Sequence, residues 1–270
     1  MNQFKKIKSL FLAITLYCFA ILSSFSIQAT IVKFETNMGD FSVNLYDEAT
    51  PETVANFLEY LNNGDYANSV FHRSVTDFVI QGGGFAYNAN WPLDAVFAND
   101  PVINEPVYSN VRGSIAMAKI GIDVGNVNSE DSATNQWFVN LGNNSQNLDI
   151  QNGGFTVFGE VIADDMTIID AIAALQQYNL GGAFDSIPLQ NYDDSNDPND
   201  TNLVIITNII VTDDTVDSAA GLSPAANIVP VFLPVPIETS SGGGSFGMLM
   251  MGLFLLISRK LILAKNNNNL

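Results

Sequence analysis

The segment Val70-Phe71-His72-Arg73-Ser74-Val75-Thr76-Asp77-Phe78-Val79-Ile80-Gln81-Gly82-Gly83-Gly84 constrains the fold more than any other stretch of the chain. Apolar and polar residues alternate loosely on both sides of Thr76-Asp77, which predicts two short strands joined by a tight turn. Three glycines then end the second strand and permit backbone angles that other residues resist. The segment holds an arginine, the only histidine of the chain and a glutamine, all set among large apolar side chains. Fixed donors in an apolar wall suit a binding site. The same residues also suit an ordinary β-hairpin with an exposed arginine and a glycine turn, and from this stretch alone both readings stand.

The flanks divide the chain. Lys5, Lys6 and Lys8 precede the apolar run Leu10 to Phe25, and Ser26-Ile27-Gln28-Ala29 offers a small residue for cleavage. Residues 1–29 therefore read as a secretory signal peptide, with a retained anchor helix as the alternative. The only cysteine, Cys18, lies inside that run, so a processed chain has no thiol. Disulfides, a cysteine nucleophile and zinc–cysteine sites are then excluded, and a single histidine excludes a histidine-rich metal site. No metal and no cofactor is expected. Between Thr30 and Ala219 there are 27 acids against four bases (Lys33, Arg73, Arg112, Lys119), a net of −23. A surface this acidic repels phosphate backbones and excludes nucleic acid as a partner. It also makes Arg73 conspicuous, as a local ion-pair partner or as a tool.

Thr30 to Thr36 and Phe41 to Tyr46 read as strands around a Met38-Gly39-Asp40 turn. Thr50-Pro51-Glu52 opens a helix with a hydroxyl cap; Val54, Phe57, Leu58 and Leu61 share one face and Gly64 closes it. Phe85 to Asn110 is loop-like, Gly113 to Met117 a buried strand, and Lys119 to Asp131 a polar loop. Gln136 to Asn140 and Thr156 to Ile162 are strands separated by a loop at Asn143 to Asn152. Asp164-Asp165 starts a short helix whose Ile168, Ile169, Ile172 and Leu175 face inward. Tyr192 to Asp200 is an acidic loop without the twelve-residue calcium pattern, and Leu203 to Val211 is the closing strand. Residues 219–241 form a linker rich in proline, serine and glycine. Residues 242–270 combine a glycine-rich motif, the apolar run Phe246 to Ile257 and the basic pair Arg259-Lys260.

Several ordered motifs carry a family resemblance. Phe71-His72-Arg73, Phe78 and Gln81-Gly82-Gly83 resemble the signature of the cyclophilins, the cyclosporin-type peptidyl-prolyl isomerases. Ser132-Ala133-Thr134-Asn135-Gln136-Trp137-Phe138-Val139 is similar to the Ser-Gln-Phe-Phe strand of that family. Gly113-Ser114-Ile115-Ala116-Met117-Ala118 precedes it, and Asn147-Leu148-Asp149 and Val157-Phe158-Gly159-Glu160-Val161 follow in order. The resemblance spans Thr30 to Thr212 and is closest in kind to bacterial periplasmic members. It implies a mainly β fold over residues 30–218: a closed eight-stranded antiparallel β-barrel capped by two α-helices, filled inside and with its site on the outer face.

The implied activity is rotation about the bond before proline. That bond resists rotation by about 18–20 kcal/mol through delocalisation of the nitrogen lone pair, and its isomers exchange over tens of seconds or longer. At the twisted geometry the lone pair is freed, and a donor aimed at it binds the twisted form best, which is catalysis by differential binding. By resemblance the donor is Arg73, whose guanidinium stays charged, and Gln81 holds Arg73 and touches the substrate backbone. Phe78, Val79, Phe138 and Leu148 form the proline pocket, with Phe155 flanking the ring. The backbone at Ala118 and Lys119 pairs with the peptide, and Gln136 adds a polar contact. His72 points to the other face and is structural. Val79 stands where many members have Met, Phe155 where the best-known members have His, and Trp137 where they have Phe. Asn147 stands at the position linked to tight cyclosporin binding, usually Trp, so weak cyclosporin sensitivity is expected. The partners implied are proline-containing peptides or unfolded exported proteins, and the domain is expected to be a monomer. A binding or chaperone module with little catalysis is the alternative. The tail resembles a Gly-Gly sorting signal cut by a membrane protease, with a tail anchor as the alternative. Membrane contact is expected only through that segment, with the domain outside the cytoplasm: periplasmic, anchored, or at the surface or secreted.

Overall fold

The computed structural model describes residues 30–121, 129–214 and 222–228. The leader, the tail and most of the linker lie outside the described residues.

Strict alternation builds the centre of the sheet. In β1 (Ile31–Thr36) and β2 (Phe41–Leu45), Val32 faces Val43 and Phe34 faces Phe41, and all four are fully buried. The Phe34 and Phe41 rings stack with centroids 4.5 Å apart. Helix α1 (Pro51–Asn63) buries Val54, Phe57 and Tyr60 against this layer, with Leu58 and Leu61 packed at its margin. Gly64 ends the helix at φ +77, where its N–H reaches the Leu61 carbonyl. The expected hydroxyl cap is not made. Thr50 Oγ1 donates to Tyr46 O instead, and the Glu105 carboxylate, 52 residues away from Thr53, accepts from Thr53 N (2.9 Å) and Thr53 Oγ1 (2.7 Å). An anion at a helix N-terminus answers both the orphan amides and the macrodipole.

The remaining strands are β3 (Ser69–Val70), β4 (Arg73–Val75), β5 (Val79–Gly82), β6 (Phe85–Ala86), β7 (Asp94–Ala95), β8 (Ser114–Met117), β9 (Trp137–Asn140), β10 (Val157–Val161), β11 (Gln176–Tyr178), β12 (Ile187–Leu189) and β13 (Ile205–Asp213). They are joined by the single-turn α2 (Ser145–Leu148) and by α3 (Met166–Ala173), which buries Ile169 and Ile172 as expected. The mainly β architecture with few helices is present, but the closed eight-stranded barrel is not. The main sheet has eleven strands in the order β4-β5-β9-β8-β10-β2-β1-β13-β3-β6-β7. It curls without an unbroken closing ladder. Phe71 and His72 split what the sequence presents as one strand, so β4 pairs with β5 while β3 pairs with β13 and β6. Two features went unread in the sequence: the β6–β7 hairpin inside the expected loop, and the separate β11–β12 pair.

The glycine run has a packing cause. A Cβ on Gly82 would stand 2.9 Å from Trp137 Cη2, and one on Gly83 would stand 2.5 Å from the Asn135 carbonyl. Gly83 also sits at φ +80. Trp137 thus does more than replace a smaller ring: its indole, edge-on to Phe34 and Phe71, fills the space that the glycines leave. Residues 222–228, inside the expected linker, lie along the domain. Ser109 N donates to Ala225 O (2.8 Å), Asn227 N donates to Val107 O (3.0 Å), and Tyr108 bridges Ala226.

Candidate active site

The hairpin sets the site by register. Arg73 pairs with Gln81, Gln81 with Phe138, and Phe138 with Ala116, one row crossing β4, β5, β9 and β8 on the outer face of the sheet. The adjoining row, Ser74, Ile80, Val139 and Ile115, is buried on the inner side. Phe78, in the turn, closes one end of the outer row. Its carbonyl accepts from Leu141 N (2.9 Å) and Asn144 Nδ2 (2.8 Å). Leu148 comes from α2 and Phe155 from the loop after it; Phe155 N donates to Leu148 O (2.8 Å) and its ring meets Phe138 edge-on at 5.9 Å.

These side chains enclose a hollow of about 200 Å³. Its floor and walls are Phe78, Val79, Phe138, Leu148 and Phe155; its rim carries Arg73, Gln81, Ala118 and Lys119. Gln151 also lines it, which the motifs did not indicate. Gln136 does not. It borders an adjoining recess with Ser132 and Thr134, and the two spaces share Gln81, Ala118 and Lys119. A larger groove of about 570 Å³ runs between Glu52, Glu59 and Asp100, but no cation lines it.

Arg73 is oriented but uncommitted. Its side chain is 33% exposed, and Asp185 Oδ1 lies 3.8 Å from Nε, beyond hydrogen-bond length, on a carboxylate that is itself 57% exposed. Among the described residues no hydrogen bond occupies the guanidinium. The expectation that Gln81 holds Arg73 is corrected: Gln81 Nε2 donates to Gln136 Oε1 (2.8 Å), because cross-strand pairing sets both glutamines on the same side of the recess. The expectation for Ala118 narrows too, since its N–H is taken by Gln136 O (2.9 Å). Lys119 donates through Nζ to the Asn152 carbonyl (2.7 Å) and the Gly154 carbonyl (2.6 Å). His72 is buried, edge-on to Phe85 at 5.0 Å. Burial, with the Arg73 charge adding to it, lowers its pKa to about 4, so the imidazole is neutral at physiological pH.

A polar net under the hollow escaped the sequence reading. The buried Asp149 carboxylate accepts from Ser109 Oγ (2.6 Å), Asn110 N (2.7 Å) and Asn110 Nδ2 (3.0 Å), fixing the residue next to Leu148. Asn144 Nδ2 adds a bond to Asn140 Oδ1 (2.7 Å), below Phe78. The density of asparagines from Asn135 to Asn152 was the available signal.

The site is thus an apolar hollow of about 200 Å³ with guanidinium donors at its lip. The comparisons make this a family: the chain belongs to the cyclophilin-type peptidyl-prolyl cis-trans isomerases, whose family model (Cyclophilin type peptidyl-prolyl cis-trans isomerase/CLD) matches residues 31–193. The chain is 35% identical over 156 residues to a peptidyl-prolyl cis-trans isomerase of Acinetobacter baylyi, covering 57% of this chain and 77% of that one. It is 36% identical over 148 residues to peptidyl-prolyl cis-trans isomerase B of Escherichia coli, covering 53% and 83%. A crystal structure of a cyclophilin type peptidyl-prolyl cis-trans isomerase of Cryptosporidium parvum aligns over 68% of this chain and 98% of its own at 21% identity, with a TM-score of 0.48.

Proposed function

We propose that this isomerase acts on exported polypeptides, turning X-Pro bonds by non-covalent stabilisation of the twisted imide. The proline ring enters the hollow between Phe138, Leu148 and Phe155, and an Arg73 Nη donates to the imide nitrogen as its lone pair is freed. Gln81, anchored by Gln136, contacts the peptide backbone. The observation that carries this reading is the guanidinium at the hollow's rim with its donors unspent. The leader pattern before Thr30 and the acidic, nucleic-acid-repelling domain support an exported client pool. The glycine-rich motif and apolar run near the C-terminus support a sorting or anchoring step that leaves the domain outside the cytoplasm. The test is a coupled Ala-Pro peptide assay of the wild type against Arg73→Ala. Turnover by the wild type and its collapse in the variant is the expected result; equal rates would remove Arg73 from the mechanism. Mass spectrometry of the protein from its native host reads both termini.

A further inference from the structure

Lys119 is an ammonium in a domain crowded with acids, and it forgoes them. Glu130 and Asp131 stand near enough to influence it, yet Nζ is spent on two backbone carbonyls of the turn at 152–154 and lies 4.9 Å above the Phe155 ring. That turn has little intrinsic reason to hold its shape. Asn152, Gly153 and Gly154 follow one another at φ +52, +75 and +80; the turn has one backbone bond of its own, Gly154 N to Gln151 O (3.0 Å), the Asn152 side chain bonds Ser129, and the carbonyls that lead to Phe155 are held from outside. Asn104 Nδ2 supplies bonds to the Gly153 and Gly154 carbonyls from one side, and Lys119 supplies them from the side of the hollow.

We propose that Lys119 is a positioning residue of the isomerase: its ammonium staples the 152–154 turn to the end of β8 and so fixes the Phe155 ring as one wall of the proline hollow. The proposal rests on the hollow being the proline site. The Phe155 backbone is tied to Leu148 O (2.8 Å) and Asn110 Nδ2 (3.0 Å), but its ring meets Phe138 only edge-on, so the orientation of the ring rests on the turn that leads into it and on the cation above it. A wall held in place before the peptide arrives costs nothing on binding, so its loss falls on affinity and not on the twisting step. Burial lowers the Lys119 pKa to about 8, with the carboxylates of Glu130 and Asp131 pulling it upward. No titratable side chain comes from residues 151–154 or from β8, and Arg73 stays charged throughout. The staple therefore weakens as pH rises through about 8, where the ammonium becomes an amine and the cation over the ring is lost.

The experiment uses the full chain and one Ala-Pro peptide, with turnover and direct binding measured on the same samples. Lys119→Met is expected to raise KM and Kd about tenfold while kcat stays within about twofold, and Lys119→Arg to restore most of the loss. In a Phe155→Ala background the Met substitution is expected to add nothing, because the wall it positions is gone. The wild-type Kd is expected to rise between pH 7 and 9.5 with a midpoint near 8, and that of the Met variant to stay flat. The pH profile needs no variant and decides the matter even if Lys119→Met does not fold. Unchanged Kd in Lys119→Met, or a wild-type Kd that is flat through that range, overturns the staple. A wild type that neither binds nor turns over the peptide overturns the assignment of the hollow itself.

Discussion

Two of the four cations in the acidic domain line the same hollow, and they are spent in opposite ways. Lys119 has its charge committed to carbonyls and a ring, at the cost of partial burial. Arg73 has one distant carboxylate for company and keeps its Nη donors open. A protein this rich in carboxylates could have neutralised both. The difference teaches that the two cations are held for different ends: Lys119 is spent on neutral carbonyls and a ring in the wall of the hollow, while Arg73, weakly paired with exposed Asp185, keeps donors open at the rim.

The sharpest way to break this contrast is Arg73→Ala. Removal of a donor that acts only at the twisted geometry is expected to lower kcat/KM by about a hundredfold or more, mainly through kcat, in the coupled peptide assay. If the loss appeared mainly in KM, Arg73 would be a ground-state contact like any other. Gly83→Ala comes next. The added methyl meets the Asn135 carbonyl and the indole at a positive φ, and urea unfolding is expected to show a loss of about 2–3 kcal/mol.

The neutral neighbour of Arg73 supplies a pH test. His72 has a folded pKa of about 4 against 6.5 unfolded, so below 6.5 the unfolded chain gains a proton that the folded one refuses. Stability relative to His72→Asn is therefore expected to fall as pH drops from 6.5 toward 4, by up to roughly 3 kcal/mol, in parallel denaturation series. Lys119 has the same sign in a higher window: between about 8 and 10.5 the unfolded chain holds the extra proton, so its contribution to stability also rises with pH, while peptide affinity falls. Asp185→Asn is the smallest change. If Arg73 is uncommitted, kcat/KM stays within about twofold, since an exposed pair at this distance contributes little. A larger loss would show that Arg73 depends on its ion pair with Asp185.

Much of this was legible locally. Alternation in Ile31 to Leu45, the helical stripe Val54 and Phe57 with its closing Gly64, and the hairpin around Asp77 all appear where short-range patterns put them. The rim and walls of the hollow came from motif order, and they meet in one place. What stayed hidden depends on partners far along the chain. The helix cap is Glu105 and not the adjacent Thr50, because a carboxylate delivered by tertiary structure reaches the open amides that the local hydroxyl turns away from. Gln81 chose Gln136 over Arg73 because strand pairing brought the second amide within 2.8 Å. The ring does not close as one ladder because the chain changes partner at Phe71-His72: Phe71 N donates to Val204 O (3.1 Å) and His72 N to Gln81 O (3.1 Å), a switch that alternation does not mark.

The strip at 222–228 has a practical corollary. Val107 and Ser109 give their backbone groups to it, and Leu222 packs with the cluster that includes Tyr108 and Phe155. A recombinant fragment stopped at residue 218 would present that border bare, an invitation for neighbouring molecules to stitch themselves on. Cloning to residue 228 keeps the seam shut.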